Sequence, residues 1–234
     1  MTPQFGQKSL ELTLAVNNAK LDVVLDKYNL GEARDFVVEF NKAYNLPYHN
    51  TKHCMTVARL CHDLLSMDDL FYTAHDYRLV ICAALFHDFN HTGNDPDINN
   101  IENAVAGFLQ FCAEYPSAFS AYDRYVIENI IRVTEFPFVH EPKTELEKII
   151  RDADVLQIFE PDHISVSLYS LRRELEDKLK STLQLNFYLE KQKDFVSGIQ
   201  WYTKAAKRIA QDSMPALFAS YDEHLHNAGL SLKG

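Results

Sequence analysis

Histidine and carboxylate side chains are concentrated at four places along the chain. They lie in Tyr48-His49-Asn50-Thr51-Lys52-His53, in His87-Asp88-Phe89-Asn90-His91-Thr92-Gly93, at Glu102 and in Arg151-Asp152-Ala153-Asp154-Val155-Leu156. His87 and Asp88 end an apolar segment, where a charged pair facing the core is costly unless each group is hydrogen-bonded or bound to an ion. A shared metal ion would answer that cost, so we interpret these residues as a candidate metal site.

The position of each residue around a helix decides which side chains can face one site. His91 follows His87 by four residues, about one helical turn, so both imidazoles are expected on the same side of a helix. Asp152 and Asp154 are about 200° apart, so only one can face the metal. We expect Asp154 to face it and Asp152 to pair with Arg151 at the surface.

The order His53, His87-Asp88, Asp154 resembles that of the HD-domain metal-dependent phosphohydrolases. Within that superfamily, Tyr48-His49-Asn50-x-x-His53 together with His87-Asp88-x-x-His91-x-Gly93 is similar to the catalytic domain of the class I cyclic nucleotide phosphodiesterases. The motifs cover residues 45–160. The resemblance implies an all-α fold, a multi-helix bundle of the HD-domain or phosphodiesterase type.

The same resemblance implies two divalent metal ions. His53, His87, Asp88 and Asp154 would hold the first ion, and Asp88 would bridge to a second, largely water-coordinated one. Two histidines and two aspartates suit Zn²⁺ at the first position, Mg²⁺ or Mn²⁺ suits the second, and some HD proteins bind iron.

Catalytic roles follow from the resemblance for three further residues. His49 matches the general acid that protonates the departing ribose oxygen, Glu102 matches the glutamate that orients this histidine, and His91 would lie beside the water shell of the second metal. Tyr48 and Gln200 are the expected substrate-binding residues. Phosphodiester hydrolysis needs an activated water, neutralised phosphoryl oxygens and a proton for the leaving group, which two metals and an imidazolium supply.

The sequence also departs from the family's pattern. Asn94-Asp95-Pro96-Asp97-Ile98 separates Gly93 from Asn99-Asn100, which changes the loop beside the second metal. The purine-gripping glutamine and phenylalanine of the family cannot be placed; Gln200 with Trp201 and Gln211 with Phe218 are candidates. The aromatic residues Phe187 and Phe195 are expected in the core.

Composition bounds the fold and the partners. The chain has 234 residues, 7 Gly and a net charge of −10, which favours helices and argues against duplex nucleic acid as the main partner. We expect one domain over residues 1–234, with a metal-site core at about 45–160 and C-terminal helices at 161–227.

No signal peptide or membrane segment is evident in the sequence. The four cysteines lack Cys-x-x-Cys spacing, so we expect them to be small buried apolar residues. Both observations fit a cytoplasmic protein.

Helical periodicity predicts the elements that would position the site. The expected helices are 10–24, 31–44, 51–65 with Asn50 or Thr51 as cap, 69–89, 98–115, 117–133, 145–159, 162–189 and 195–226.

Three interpretations of function remain open. The first is a metal-dependent phosphohydrolase resembling the cyclic nucleotide phosphodiesterases, acting on a small-molecule nucleotide. The second is an HD-type nucleotidase or a hydrolase of nucleoside triphosphates or alarmones, with an HD-fold di-iron oxygenase as a more distant enzyme. The third is a helical module that binds a nucleotide without cleaving it. The sequence does not indicate an oligomeric state.

Overall fold

The computed structural model describes residues 20–41, 46–93, 96–160 and 163–231, with side chains up to residue 227. All regular structure within these ranges is helical, which confirms the all-α prediction. After a helical stretch at residues 20–27, the main helices are α1 (Gly31–Phe40), α2 (Thr51–Met67), α3 (Ala74–Phe86), α4 (Asp97–Glu114), α5 (Ala121–Arg132) and α6 (Glu145–Leu156). A 3₁₀ turn (Gln157–Phe159) ends α6.

The C-terminal part begins with a helical segment that changes its winding twice. A turn of α-helix (His163–Ser165) leads into a π-helix (Val166–Leu171) and then into α7 (Arg172–Leu179). Two longer helices follow, α8 (Leu185–Gly198) and α9 (Lys204–Ser231).

Side-chain caps fix where several helices begin. Asn50 accepts hydrogen bonds from the backbone N–H groups of Lys52 and His53, as predicted for the start of α2. Capping boxes open α3, α5 and α6, at Thr73, Ser120 and Thr144. The caps set the register of α2 and α6, the two helices that carry the predicted ligands His53 and Asp154.

Helix α3 is the centre of the bundle. Its residues from Leu79 to Phe86 are all buried, and the helix packs against α1, α2, α4, α5 and α6. A helix that is apolar on every side belongs in the interior. The end of α3 therefore places His87 in the interior between neighbouring helices and Asp88, partly buried, directly after it.

A second apolar cluster holds the C-terminal helices together. Its buried members come from the segment after α6, from the π-helix and from α8 and α9: Ile158, Leu168, Tyr188, Leu189, Val196, Leu217 and Tyr221. Phe159 and Trp201 pack against both clusters. The assignment of residues 1–234 to one domain stays a prediction.

Several predicted boundaries were wrong. The helix expected at 162–189 ends at Leu179 because Lys180 adopts a left-handed conformation with φ 51°, and α9 begins at Lys204 rather than at 195. Phe187, expected in the core, is exposed. Residues 10–19, 42–44 and 162 of the predicted helices lie outside the described residues.

The four cysteines are all buried and none is in a disulfide, as the sequence predicted. No helix in the described ranges combines the length and the apolar character needed to cross a bilayer.

Close packing of α4 against the segment after α3 yields a stability prediction. A Cβ added to Gly107 would lie 2.2 to 2.9 Å from ring atoms of Phe89, which is fixed in the core among Phe36 and Phe86. An alanine in a helix interior usually stabilises by about 1 kcal/mol relative to glycine. Here we expect Gly107→Ala to lower the free energy of unfolding by about 1–3 kcal/mol through overpacking, measured by urea denaturation.

Gly198→Ala is the matched control, because nothing lies within 4 Å of its added Cβ. Its stability should stay near that of the unmodified protein. Equal stability of the two variants would contradict the tight contact between Gly107 and Phe89.

Candidate active site

Four predicted ligands meet between α2, α3 and α6. His53 lies in the first turn of α2, His87 and Asp88 follow the end of α3, and Asp154 lies in the last turn of α6. The His53 Nε2 atom is 3.2 Å from each of His87 Nε2, Asp88 Oδ2 and Asp154 Oδ1. His87 Nε2 is 3.4 Å from Asp88 Oδ2 and 3.6 Å from Asp154 Oδ1.

These separations fit the edges of a metal coordination shell. Bonds of about 2.0–2.2 Å from a tetrahedral Zn²⁺ place neighbouring donor atoms about 3.3–3.6 Å apart. Five of the donor-atom pairs lie at 3.2 to 3.6 Å. We call His53, His87, Asp88 and Asp154 the cluster. The ligand atoms of His53, His87 and Asp154 lie within 4.8 Å of one another, close enough to hold one divalent cation, and Asp88 adjoins the two histidines.

Hydrogen bonds on the far side of each ring fix the histidines for that role. His53 Nδ1 lies 2.5 Å from Gln157 Oε1, and His87 Nδ1 lies 2.8 Å from the backbone oxygen of Ala84. An oxygen acceptor requires that Nδ1 carries the hydrogen, so a neutral ring directs its Nε2 lone pair into the cluster.

The charges of the cluster support each other strongly. Burial lowers the pKa of His53, but Asp154 and Asp88 outweigh burial and raise this pKa to about 10. Burial raises the pKa of both aspartates, yet the two imidazoles hold the net pKa of Asp88 and Asp154 well below the usual range. A cation entering the cluster must displace the proton on the imidazole, so its affinity will rise with pH.

His49 lies beside this cluster and is paired with a carboxylate from α7. Its Nδ1 contacts Glu174 Oε1, while Glu174 Oε2 accepts the backbone N–H groups of Tyr48 and His49 at 3.0 and 3.2 Å. The rings of His49 and His53 are 5.9 Å apart. Asn50 holds the same turn in shape by donating to the backbone oxygens of Leu46 and Pro47.

Burial and the carboxylate of Glu174 have opposite effects on the pKa of His49. Burial lowers the pKa of His49, but the hydrogen bond and charge of Glu174, together with Asp88, make the net direction upward. The pKa of Glu174 is lowered, since His49 outweighs the effect of burial. The pair therefore favours an imidazolium whose Nδ1–H is occupied and whose Nε2–H is available to a bound molecule.

His91 joins His49 rather than His87, contrary to the expectation from helical spacing. Helix α3 ends at Phe86, and Asn90 takes a positive φ of 56°, so the chain turns before His91; it turns again after His91 at Gly93, with φ 74°. The rings of His49 and His91 are stacked with centroids 4.1 Å apart. The backbone N–H of Gly93 donates to His91 Nδ1.

Ligand atoms of His49, His91 and Glu174 lie within 4.8 Å of one another, which is close enough for a second cation. The ring geometry argues against this use. Stacked imidazoles are inclined by only 20°, so their in-plane lone pairs run nearly parallel and do not converge on one point. Stacking suits His91 better to orient His49.

The expected partner of His49 was wrong. Glu102 is on the exposed side of α4, where its carboxylate binds Arg132, with Oε1 2.5 Å from Nη1. The glutamate that contacts His49 is Glu174, 125 residues away along the chain. No local pattern around Glu174 indicates this contact, whereas Gln157 could have been found as the residue one helical turn after Asp154.

Of the two predicted substrate-binding residues, Tyr48 lies at the cluster and Gln200 does not. Tyr48 lies at the cluster, with its ring 5.1 Å from that of His53, and burial raises the pKa of its hydroxyl. Gln200 does not reach the cluster; it is exposed, next to Tyr202, whose N–H donates to Asp152 on the opposite side of α6.

Asp152 and Arg151 are not a surface pair. Asp152 is fully buried and accepts the backbone N–H groups of Tyr202 and Thr203. Arg151 is also buried, and donates to the backbone oxygens of Val133 and His140. Both residues tie loops to α6, which secures the helix that carries Asp154.

The pairing of His49 with Glu174 yields a prediction about protonation. In Glu174→Gln the charge that favours the imidazolium is lost while burial remains, so the pKa of His49 should fall. The measurement is the pH titration of the imidazole ¹⁵N shifts by NMR.

Glu102→Gln is the matched control, since the carboxylate of Glu102 binds Arg132 instead. It should leave the titration of His49 unchanged. A His49 pKa that moves in Glu102→Gln and stays constant in Glu174→Gln would reverse our assignment.

The sequence matches no protein-family model and no curated protein. The structure is similar to the crystal structure of the phosphodiesterase domain of Salpingoeca rosetta rhodopsin phosphodiesterase, with a TM-score of 0.68, 15% identity, and coverage of 90% of this chain and 86% of that chain. A second structure of the phosphodiesterase domain, from the RhoPDE fusion protein of the same choanoflagellate, has a TM-score of 0.63 and 16% identity, covering 94% and 90% of the two chains. The chain therefore has the helical fold of these phosphodiesterase domains.

Proposed function

We propose that this protein is a metal-dependent phosphohydrolase of the HD type that hydrolyses a nucleotide phosphodiester, with a cyclic nucleotide as substrate. One observation carries the proposal. A cluster of two buried imidazoles and two partly buried carboxylates lies next to His49, whose Nδ1 contacts Glu174, with the rings of His53 and His49 5.9 Å apart. Cation binding and proton donation are the two functions that phosphodiester hydrolysis needs together.

The cluster residues would hold the first metal, for which their donor set suits Zn²⁺. Asp88 would also face a second, more watery ion, for which Mg²⁺ or Mn²⁺ is suited, and iron fits the same ligand types. Bound metals supply charge neutralisation at the phosphoryl oxygens and activation of a water.

The protein's own acid would be His49. When the bond between phosphorus and the ribose 3′ oxygen breaks, the departing oxygen takes the proton from His49 Nε2, and Glu174 stabilises the imidazolium through Nδ1 until that moment. A leaving alkoxide is a strong base, so its protonation lowers the barrier substantially. His91, stacked on the ring, would hold His49 in line with the leaving oxygen.

The fold shared with the two phosphodiesterase domains supports this choice over other reactions of the same ligand types. The reaction products separate the alternatives. A 5′-monophosphate from a cyclic substrate supports the proposal, inorganic phosphate or pyrophosphate indicates a nucleotidase or triphosphate hydrolase, and bound iron with oxygen consumption indicates an oxygenase. Nucleotide binding without any product indicates a non-catalytic module.

Removal of a cluster carboxylate tests the proposed activity. We expect the protein to convert a cyclic nucleotide to its 5′-monophosphate, and Asp88→Ala and Asp154→Ala to lower the rate about 1000-fold or more and to release the metal, because each substitution removes a charged donor. Product chromatography and metal analysis measure both effects, and circular dichroism checks that the helices remain.

Asp63→Ala provides the control. Asp63 belongs to a second His-Asp sequence, His62-Asp63, but its carboxylate binds Arg59. This variant should retain full activity and metal content. Full activity in Asp88→Ala or Asp154→Ala would refute the site.

Metal affinity should also depend on the residue behind His53. Gln157→Leu removes the acceptor for the Nδ1 hydrogen of His53, so the ring can rotate or change tautomer. We expect the affinity for Zn²⁺ to fall about 10- to 100-fold, measured by competition with a chelator.

Gln157→Glu keeps an oxygen acceptor at this position and should retain most of the affinity. If Gln157→Leu binds the metal as tightly as the unmodified protein, His53 is not held by Gln157 for metal binding.

A further inference from the structure

The loop between α5 and α6 exposes aromatic side chains close to the site. Phe136 is 51% exposed and Phe138 38% exposed, and their rings meet edge to face with centroids 5.3 Å apart. Phe195 of α8, expected in the core, is only partly buried, and its ring meets that of Phe136 at 5.9 Å, also edge to face. We call these three residues the aromatic wall.

Two tethers connect the wall to the candidate active site. Asp97 accepts the backbone N–H of Phe136 at 2.5 Å, and its other carboxylate oxygen lies 3.6 Å from His91 Nε2. Since His91 stacks on His49, the backbone of Phe136 is joined to the acid through two side chains.

The second tether runs from α6. The guanidinium of Arg151 lies 3.5 Å from the centre of the Phe138 ring and binds backbone oxygens on both sides of the loop, at Val133 and His140. Arg151 precedes Asp154 by three residues, so the two side chains leave α6 on neighbouring sides. The wall is thus held in shape at the edge of the site rather than projecting from a free loop.

Resting on the proposed function, we propose that the aromatic wall binds the base of the nucleotide, with Phe136 as the main stacking surface. Exposed aromatic rings gathered at one place offer flat apolar area, and every nucleobase has a matching π-face. Asp97 holds this arrangement together through its contacts with Phe136 and His91. It also lies in the segment by which the sequence departs from the phosphodiesterase pattern. We therefore assign recognition of the base to Phe136, a loop residue, instead of Gln200.

Equilibrium binding separates this proposal from catalysis. Adenosine 5′-monophosphate and ribose 5-phosphate share the sugar and the phosphate, but only the first has a base. We expect the protein, in buffer with excess Mg²⁺, to bind the nucleotide about 10- to 100-fold more tightly by calorimetry, and Phe136→Ala to remove most of that difference while leaving ribose 5-phosphate unaffected.

Two further variants sharpen the result. Phe195→Leu keeps apolar packing against the C-terminal cluster but loses the aromatic ring, so it should also reduce the preference for the nucleotide. Phe71→Ala is the matched control, because Phe71 is 91% exposed and lies at the far end of α2 and α3, about 20 Å from the cluster by helix length.

An equal affinity for the two ligands in the unmodified protein, or a preference unchanged in both Phe136→Ala and Phe195→Leu, would overturn the aromatic wall as a base site. A protein that prefers the nucleotide through these residues but cleaves no phosphodiester would instead overturn the proposed function and leave the base site standing.

Discussion

The structure depends on placing two carboxylates and two imidazoles together at the end of a buried apolar helix. Helix α3 is apolar and buried from Leu79 to Phe86, and a core of this kind tolerates His87 and Asp88 at its end only because His53 and Asp154 lie opposite them. The pKa shifts express this dependence, since the carboxylates raise the pKa of the imidazoles and the imidazoles lower the pKa of the carboxylates. A cation coordinated by the donor atoms of these four side chains would satisfy the cluster more fully than protons shared between the same atoms do.

Hydrogen bonds behind the cluster explain why its geometry is specific. Gln157 and the backbone oxygen of Ala84 hold the two rings by Nδ1, and the buried pair of Asp152 and Arg151 fastens loops to the helix that carries Asp154. Groups of this kind contribute no ligand, yet they determine where the ligands point. Residues on the sides of α3 and α6 that face away from the cluster are therefore as necessary for its geometry as the residues that line it.

His49, the proposed acid, depends on the C-terminal half of the chain in a different way. Glu174 receives three contacts from the turn at Tyr48 and His49, so it both shapes that turn and fixes the charge of the imidazole. On the other side, Asp97 connects His91 with the loop of Phe136. The proposed proton donor and the proposed base-binding loop are thus joined by one small set of side chains around His49.

The sequence by itself determined the all-α class, the central apolar helix and a cap at Asn50 or Thr51, because periodicity and capping chemistry are local signals. The four residues of the cluster followed from ordered motifs that resemble those of a known family. The sequence did not determine the partner of His49, the loop position of His91 or the burial of Asp152. Glu174 follows a π-helix, which shifts the phase of α7 so that its facing side cannot be obtained from a 3.6-residue period. Lys180 and Asn90, in left-handed conformations, end helices where propensity alone would continue them. These features were decided by tertiary packing, since the contacts that produce them join separate segments of the chain and belong to no motif or period in the sequence.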